Sequence, residues 1–188
     1  MLYIEAQKIP SDGKSGGTIK VTGRLGDVMQ ESSSIAHTVA RAFLMSVADD
    51  CHLDDTARMF FQEASLHLHF PEGSVKKDGP SAGIAIVTAL LSLAMDRPVS
   101  AQLAMTGEVS LTGRVLPIGG VKEKTLGSKR SGIDTLIFPE ENRRDWEELS
   151  DELKAGMTVR FAKSYADVFR VAFPEGAAGK GGARGSTS

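Results

Sequence analysis

The sequence predicts an α+β fold, and three observations carry that prediction. Short period-two stretches such as LHLHF at 66–70 alternate with amphipathic helical stretches, glycine or proline separates most of them, and one long apolar run at 84–95 reads as a buried helix. With 188 residues, 41% of them hydrophobic and 24% charged, the chain is of a size and composition for one globular core.

Taken in order, Leu2 to Gln7 and Thr18 to Thr22 are expected to be strands around an exposed glycine-rich loop, because Ile19 and Val21 alternate with Lys20. From Asp27 to about Val47 a helix is expected, with Val28, Ile35, Val39, Ala42 and Phe43 inward and Gln30, Glu31 and Arg41 outward. The segment after Cys51 is polar and gives no clear period. Leu66, Leu68 and Phe70 against His67 and His69 predict a strand, and a helix from Ser81 follows the KKDGPSAG turn. Beyond Pro98, Leu103–Met105, Val109–Leu111 and Val115–Ile118 read as short strands. Further on, a helix is expected over 121–130, a strand over 135–138, a charged helix over 145–153, a strand over 157–161 and a helix over 165–173. The glycine-rich tail 175–188 has too little apolar surface to offset the entropy of ordering it, so disorder is expected there and the domain is bounded at 1–174.

The charge balance excludes some partners. A net charge of −2 gives no electrostatic basis for binding nucleic acid or an anionic membrane. The N-terminal MLYIEAQKIP has no basic stretch leading into an apolar core, and the run Ile84–Met95 is shorter than the roughly 20 residues that cross a bilayer. A single cysteine fits a reducing compartment, and the histidines, cysteine and acids have no metal-binding spacing, so no metal is expected. Gly13-Lys14-Ser15 echoes a phosphate-binding loop, but Lys8 stands where the first glycine of that motif belongs, and a hairpin loop is the better reading.

The chemistry centres on Ser81. A serine hydroxyl attacks a carbonyl only when a base takes its proton and donors stabilise the oxyanion. Ser81 lies between Pro80 and Ala82-Gly83, where a helix starting at Ser81 turns free backbone N–H groups into the bend and small neighbours leave room for a peptide. A serine in this place is also a common helix cap. The base is open between two sources. His67 or His69 with Asp78 makes a Ser-His-Asp set, although the histidines share one sheet face; alternatively Lys122 or Lys124 of GGVKEK serves if its pKa is lowered. Lys124 shares a helix face with Val121 and Ser128, Lys122 with Leu126 and Lys129, and spacing does not choose between them. Thr106 and Glu108 in MTGE, and Asp78 itself, read by default as turn residues.

Several blocks together closely resemble the proteolytic domain of the Lon family of ATP-dependent serine proteases: GDVMQES at 26–32, HLHFPEG at 67–73, KDGPSAG at 77–83, MTGEVSLTGRVLPIGGVKEK at 105–124 and GID at 132–134. They follow the family's order and spacing from about Leu2 to Pro174. The resemblance implies a two-layer sandwich of short mixed sheets and helices. It implies a Ser-Lys dyad of Ser81 as nucleophile and Lys124 as general base, with Thr106 orienting the lysine, Asp78 setting the active-site loop, and the histidines outside the proton relay.

The implied activity is endopeptidase cleavage through an acyl-enzyme, with no cofactor in this domain. ATP and Mg2+ serve the ATPase portion of the full-length enzyme, which the resemblance places outside this chain, making it a C-terminal fragment. Unfolded, damaged or regulatory proteins are the implied substrates and a homohexamer the implied assembly. TALLSLAMDRPV is closer to mitochondrial than to bacterial members, which points to the mitochondrial matrix, with the bacterial cytoplasm as the alternative. Two departures stand out: the family usually has a strand and turn before the position of Leu2, which leaves a sheet edge unpaired here, and Lys76 stands where many relatives have proline, which implies a more flexible loop. The rival readings are a phosphate-binding or kinase-like domain, since a glycine-rich turn at a helix start also suits phosphate, and a silent assembly module.

Overall fold

The computed structural model describes residues 2–10, 16–71 and 76–174. The loop at 11–15, with its Gly13-Lys14-Ser15 triplet, and the tail at 175–188 lie outside the described residues. The strands β1 (Glu5–Ile9) and β2 (Ile19–Thr22) are present, but they are not the two arms of a hairpin. Helices α1 (Asp27–Val47) and α2 (Asp55–Glu63) intervene before β3 (Ser65–His69), which lies between the first two strands, antiparallel to β1 and parallel to β2. Burial explains the order. Leu66 and Leu68 are essentially inaccessible, so β3 occupies the middle of the sheet, and the half-exposed β1 and β2 occupy its edges.

The face that α1 buries is Met29, Ser32, Ser33, Ala36, Val39, Ala40 and Leu44, rotated by about one residue from the expected stripe, and Val28 is left 45% exposed. Small side chains on this face allow α1 to pack closely on α3 (Gly83–Ala94). The polar segment after Cys51 resolves into α2, started by the Asp54 carboxylate, which accepts from Ala57 N at 2.8 Å, and held down by buried Phe61.

Helix α3 is the central element of the fold. Ile84, Ile86, Val87, Thr88, Leu90 and Leu91 are buried because α1, α2, β1, the strand β5 (Glu108–Val109) and the C-terminal helix surround it. It begins at Gly83, two residues later than the sequence predicts. Ser81 lies in the preceding turn, closed by Gly83 N on Pro80 O at 3.1 Å, and its hydroxyl does not cap the helix.

Strand β4 (Leu103–Met105) is followed by the short ribbon of β5 with β6 (Val115–Leu116), and α4 (Val121–Arg130) follows the Gly119-Gly120 pair. Strand β7 (Thr135–Pro139) forms the centre of a second, parallel sheet of order β4-β7-β8, whose last strand β8 is Thr158–Ala162. Both faces of β7 are covered: Ile137 joins the main core, while Leu136 and Phe138 join Val121 in a second cluster with Ile118 and Trp146. The expected charged helix over 145–153 is broken. A 3-10 turn at Glu140–Asn142 leads into α5 (Arg143–Glu147) and, after a gap, α6 (Asp151–Lys154), because Trp146 and Leu149 turn inward while Ser150 restarts the chain. The last helix, α7 (Tyr165–Ala172), opens with a Ser164–Asp167 capping box and packs on β8 and α3. The whole is an α+β arrangement of short mixed sheets and helices, as expected.

Candidate active site

The loop that carries Ser81 is fastened to the start of α1. Lys77 bridges Leu25 in parallel, with Gly26 N donating to Lys77 O at 2.8 Å. Next along the loop, the Asp78 carboxylate accepts from Met29 N at 3.2 Å and from Gly79 N at 3.0 Å. Helix α1 has a glycine, Gly26, at its N-cap and so no side-chain cap of its own, and Asp78 supplies from a distance the acceptor that a helix N-terminus favours. Gly26 has to be glycine for this: an added Cβ would lie 2.2 Å from the Asp78 carboxyl carbon. Pro80 O accepts from the Ser32 hydroxyl at 3.4 Å, and Gly79 makes the turn at φ +119°.

From the other side the β4–β5 connection grips Ser81. Its carbonyl accepts from Gly107 N at 2.8 Å and from the Thr106 hydroxyl at 3.0 Å, while Gly107 O accepts from Ile84 N at 3.1 Å. Close approach requires Gly83, since a Cβ there would meet Val109 N at 2.9 Å. The N–H groups of Gly83 and Ile84, expected to face the bend, are therefore engaged within the protein. Those of Ser81 and Ala82 have no hydrogen-bond partner among the described residues.

The Ser81 hydroxyl meets the amine of Lys124, Nζ to Oγ, at 3.3 Å. On α4 the residues Val121, Thr125 and Ser128 are buried, which turns the Lys124 edge of the helix inward and leaves Lys122 exposed. Lys124 is half-buried, and desolvation alone holds its ammonium below the ordinary lysine value. The Thr106 hydroxyl is hydrogen-bonded to the Ser81 carbonyl and not to Lys124. The histidines are elsewhere: both His67 and His69 bond the Thr22 hydroxyl, at 2.9 and 2.7 Å, across the exposed side of the first sheet. Asp78 is committed to α1 and touches neither. Of the residues proposed from sequence, Lys124, Thr106 and Asp78 meet Ser81 or its loop, whereas Lys122 and the two histidines do not.

Ser81, Thr106 and Lys124 open on a cleft of about 1250 Å3 whose wall is mainly apolar, formed by residues such as Ala85, Leu93, Met105 and Leu136. Sequence reading misses the fastening by Ser32 and Gly26, which are buried in a motif that otherwise reads as plain helix. No helix of the described residues is long and apolar enough to cross a membrane.

This fold and site define a domain in which a mainly apolar cleft lies beside a serine held near a desolvated amine, the arrangement of parts that nucleophilic hydrolysis uses. The family model for the Lon protease (S16) C-terminal proteolytic domain matches residues 1–175, and the chain belongs to that family. It is 55% identical over 172 residues to a mitochondrial Lon protease homolog of Ostreococcus lucimarinus, covering 91% of this chain and 17% of that protein. It is 53% identical over 173 residues to the mitochondrial homolog of Zea mays, covering 92% of this chain and 17% of the relative. To the mitochondrial homolog of Bos taurus it is 53% identical over 163 residues, 87% of this chain and 16% of the relative. The chain therefore spans about a sixth of the length of the relatives it matches.

Proposed function

We propose that Ser81 is the nucleophile and Lys124 the general base of a serine endopeptidase. The observation that carries the reading is the 3.3 Å approach of Lys124 Nζ to Ser81 Oγ at the end of an apolar cleft. Neutral Lys124 takes the hydroxyl proton as Ser81 Oγ attacks the peptide carbonyl carbon, and the resulting ammonium returns that proton to the leaving amine as the C–N bond breaks. Water, deprotonated in turn by Lys124, then attacks the ester and releases the new carboxyl end with Ser81 restored. The N–H groups of Ser81 and Ala82 are the donors left open for the oxyanion. Thr106 holds the Ser81 peptide in place through its carbonyl, and Asp78 holds the loop on α1; both are positioning residues.

The domain works within a longer, ATP-dependent protein that assembles as a homohexamer in the mitochondrial matrix and degrades unfolded, damaged or regulatory proteins. The domain boundary falls at about Pro174. Support comes from the family membership and the mitochondrial relatives. The test is cleavage of an unfolded protein by the full-length enzyme: Ser81→Ala and Lys124→Ala abolish it, Lys122→Ala leaves it within about twofold, and cleavage surviving in either of the first two overturns the assignment.

A further inference from the structure

The segment that delivers Lys124 is held by a residue far from the cleft. Asn142, 3% exposed, ends the 3-10 turn after β7. Its Oδ1 accepts from Ile118 N at 2.9 Å and its Nδ2 donates to Ile118 O at 2.8 Å, so one amide closes on both sides of a single residue as a neighbouring strand would. Nδ2 also donates to Asp145 Oδ2 at 2.6 Å. The three partners fix the amide's orientation, because a flipped group would set its N–H against Ile118 N–H and its oxygen against two acceptors.

Ile118 is the last well-held residue before α4. Gly119 has open space where a side chain would be, Gly120 takes φ +76° and ψ +37°, and α4 has no side-chain cap. Gly120 O accepts from Lys124 N at 3.0 Å within the first helical turn, so the glycine pair is a pivot about which the helix start and the lysine move together. A rotation of about 10° there, at the root of an arm on the order of 10 Å that runs through the first helical turn and the lysine side chain, moves Nζ by roughly 2 Å. That would separate an amine and a hydroxyl now 3.3 Å apart. Ser33 and Thr125 bond only carbonyls of their own helices, whereas Asn142, like Ser32 and Thr106 at the serine loop, grips a segment distant in sequence, here 24 residues away. Burying a primary amide is unfavourable unless each polar atom is paired, and an apolar residue would fill the space without that requirement.

We propose that Asn142 is a positioning residue for the peptidase reaction: by clamping the Ile118 peptide it fixes the root of α4, whose packing through Val121, Thr125 and Ser128 then presents Lys124 to Ser81. This rests on the assignment of Lys124 as base. Loosening the clamp lets Lys124 move toward water and regain an ordinary lysine pKa, so the effect is one on proton transfer more than on substrate binding. Around Lys124 the facing groups from the α3 turn and from the end of β4 are Ser81 and Thr106, both uncharged. The charged groups that line the same cleft are Glu123 on α4 and Asp96 and Arg97 beyond α3.

The experiment is Asn142→Asp in the full-length enzyme, read by the pH profile of peptide cleavage together with KM, ATPase rate and thermal unfolding. Aspartate is nearly isosteric, yet it cannot donate to Ile118 O and sets a second carboxylate against Asp145. The expected result is a kcat lower by about 10–100-fold with KM within about twofold, and an acid limb of kcat displaced to higher pH. An unmoved limb overturns the proposal, whether activity is kept or falls only in step with the folded fraction. Where Asn142→Asp does not fold, Asn142→Thr, whose hydroxyl keeps at most one of the two Ile118 bonds and adds no charge, carries the test with an upward displacement expected and an unmoved limb as the overturning result. Lys124→Ala run in parallel separates the two claims, since an active Lys124→Ala refutes the base itself, whereas an inactive one beside an unaltered Asn142→Asp refutes only the clamp.

Discussion

The Thr106 hydroxyl ends on the carbonyl oxygen of Ser81, 3.0 Å away, and the same carbonyl accepts from Gly107 N at 2.8 Å. The strand that ends at Met105 thereby fixes the backbone of the serine and, through it, the direction of its side chain. Removing the hydroxyl in Thr106→Val abolishes the first bond and leaves the second intact. We expect kcat to fall by about tenfold, equivalent to roughly 1.4 kcal/mol, with KM little changed and with Thr106→Ser restoring most of the rate. Steady-state peptide hydrolysis by the full-length enzyme measures this.

Asp78 and Gly26 form the second hold on the serine loop. Asp78→Ala removes the carboxylate that accepts from Met29 N and is expected to lower stability by about 1 kcal/mol, the usual value of a helix cap, and to reduce cleavage. Gly26→Ala is expected to cost more, because its methyl would occupy the place of the carboxylate and force Asp78 off α1. Thermal unfolding of both variants, with cleavage assayed alongside, checks the order of the two effects.

Lys124 sets two pH dependences of opposite kind. Cleavage requires the neutral amine, so kcat rises with pH through the lowered pKa of Lys124 and then levels. For stability, a lysine whose folded pKa lies below its unfolded value makes the folded state bind fewer protons. It destabilises fully below the folded pKa, and the penalty disappears as pH rises through the unfolded value near 10.5. Lys124→Met is therefore expected to be inactive and to melt at a higher temperature than the parent at neutral pH, with the difference shrinking toward pH 10.5. Melting curves across that range test the sign.

Because His67 and His69 bond Thr22 and do not line the cleft, the double variant His67→Gln/His69→Gln is expected to retain cleavage within about twofold in its folded fraction. A loss of several orders of magnitude at unchanged folding would return the histidines to the proton relay.

Much of the fold is legible along the chain where local chemistry sets it. Gly119-Gly120 and Gly132 bound α4, and Asp27 to Val47 reads directly as α1. What depends on distant partners is not legible. Insertion of β3 between β1 and β2 follows from the burial of Leu66 and Leu68 under helices that no local pattern specifies. The start of α3 at Gly83 follows from Gly107 taking the Ser81 carbonyl, and the break between α5 and α6 from Trp146 and Leu149 reaching the second cluster. At the site, spacing left Lys122 and Lys124 equivalent, because the choice is made by what α4 packs against. Asn142, inside a charged run, gave no signal at all.

The most direct test of the Ser81–Lys124 account is the site and pH dependence of labelling by a serine-directed phosphonate in the full-length enzyme. The account predicts one adduct, on Ser81 by peptide mapping, formed at a rate that rises with pH through the Lys124 pKa and is slowed by orders of magnitude in Lys124→Ala but not in Lys122→Ala. An adduct on another residue, or labelling of Ser81 at an unchanged rate without Lys124, contradicts it.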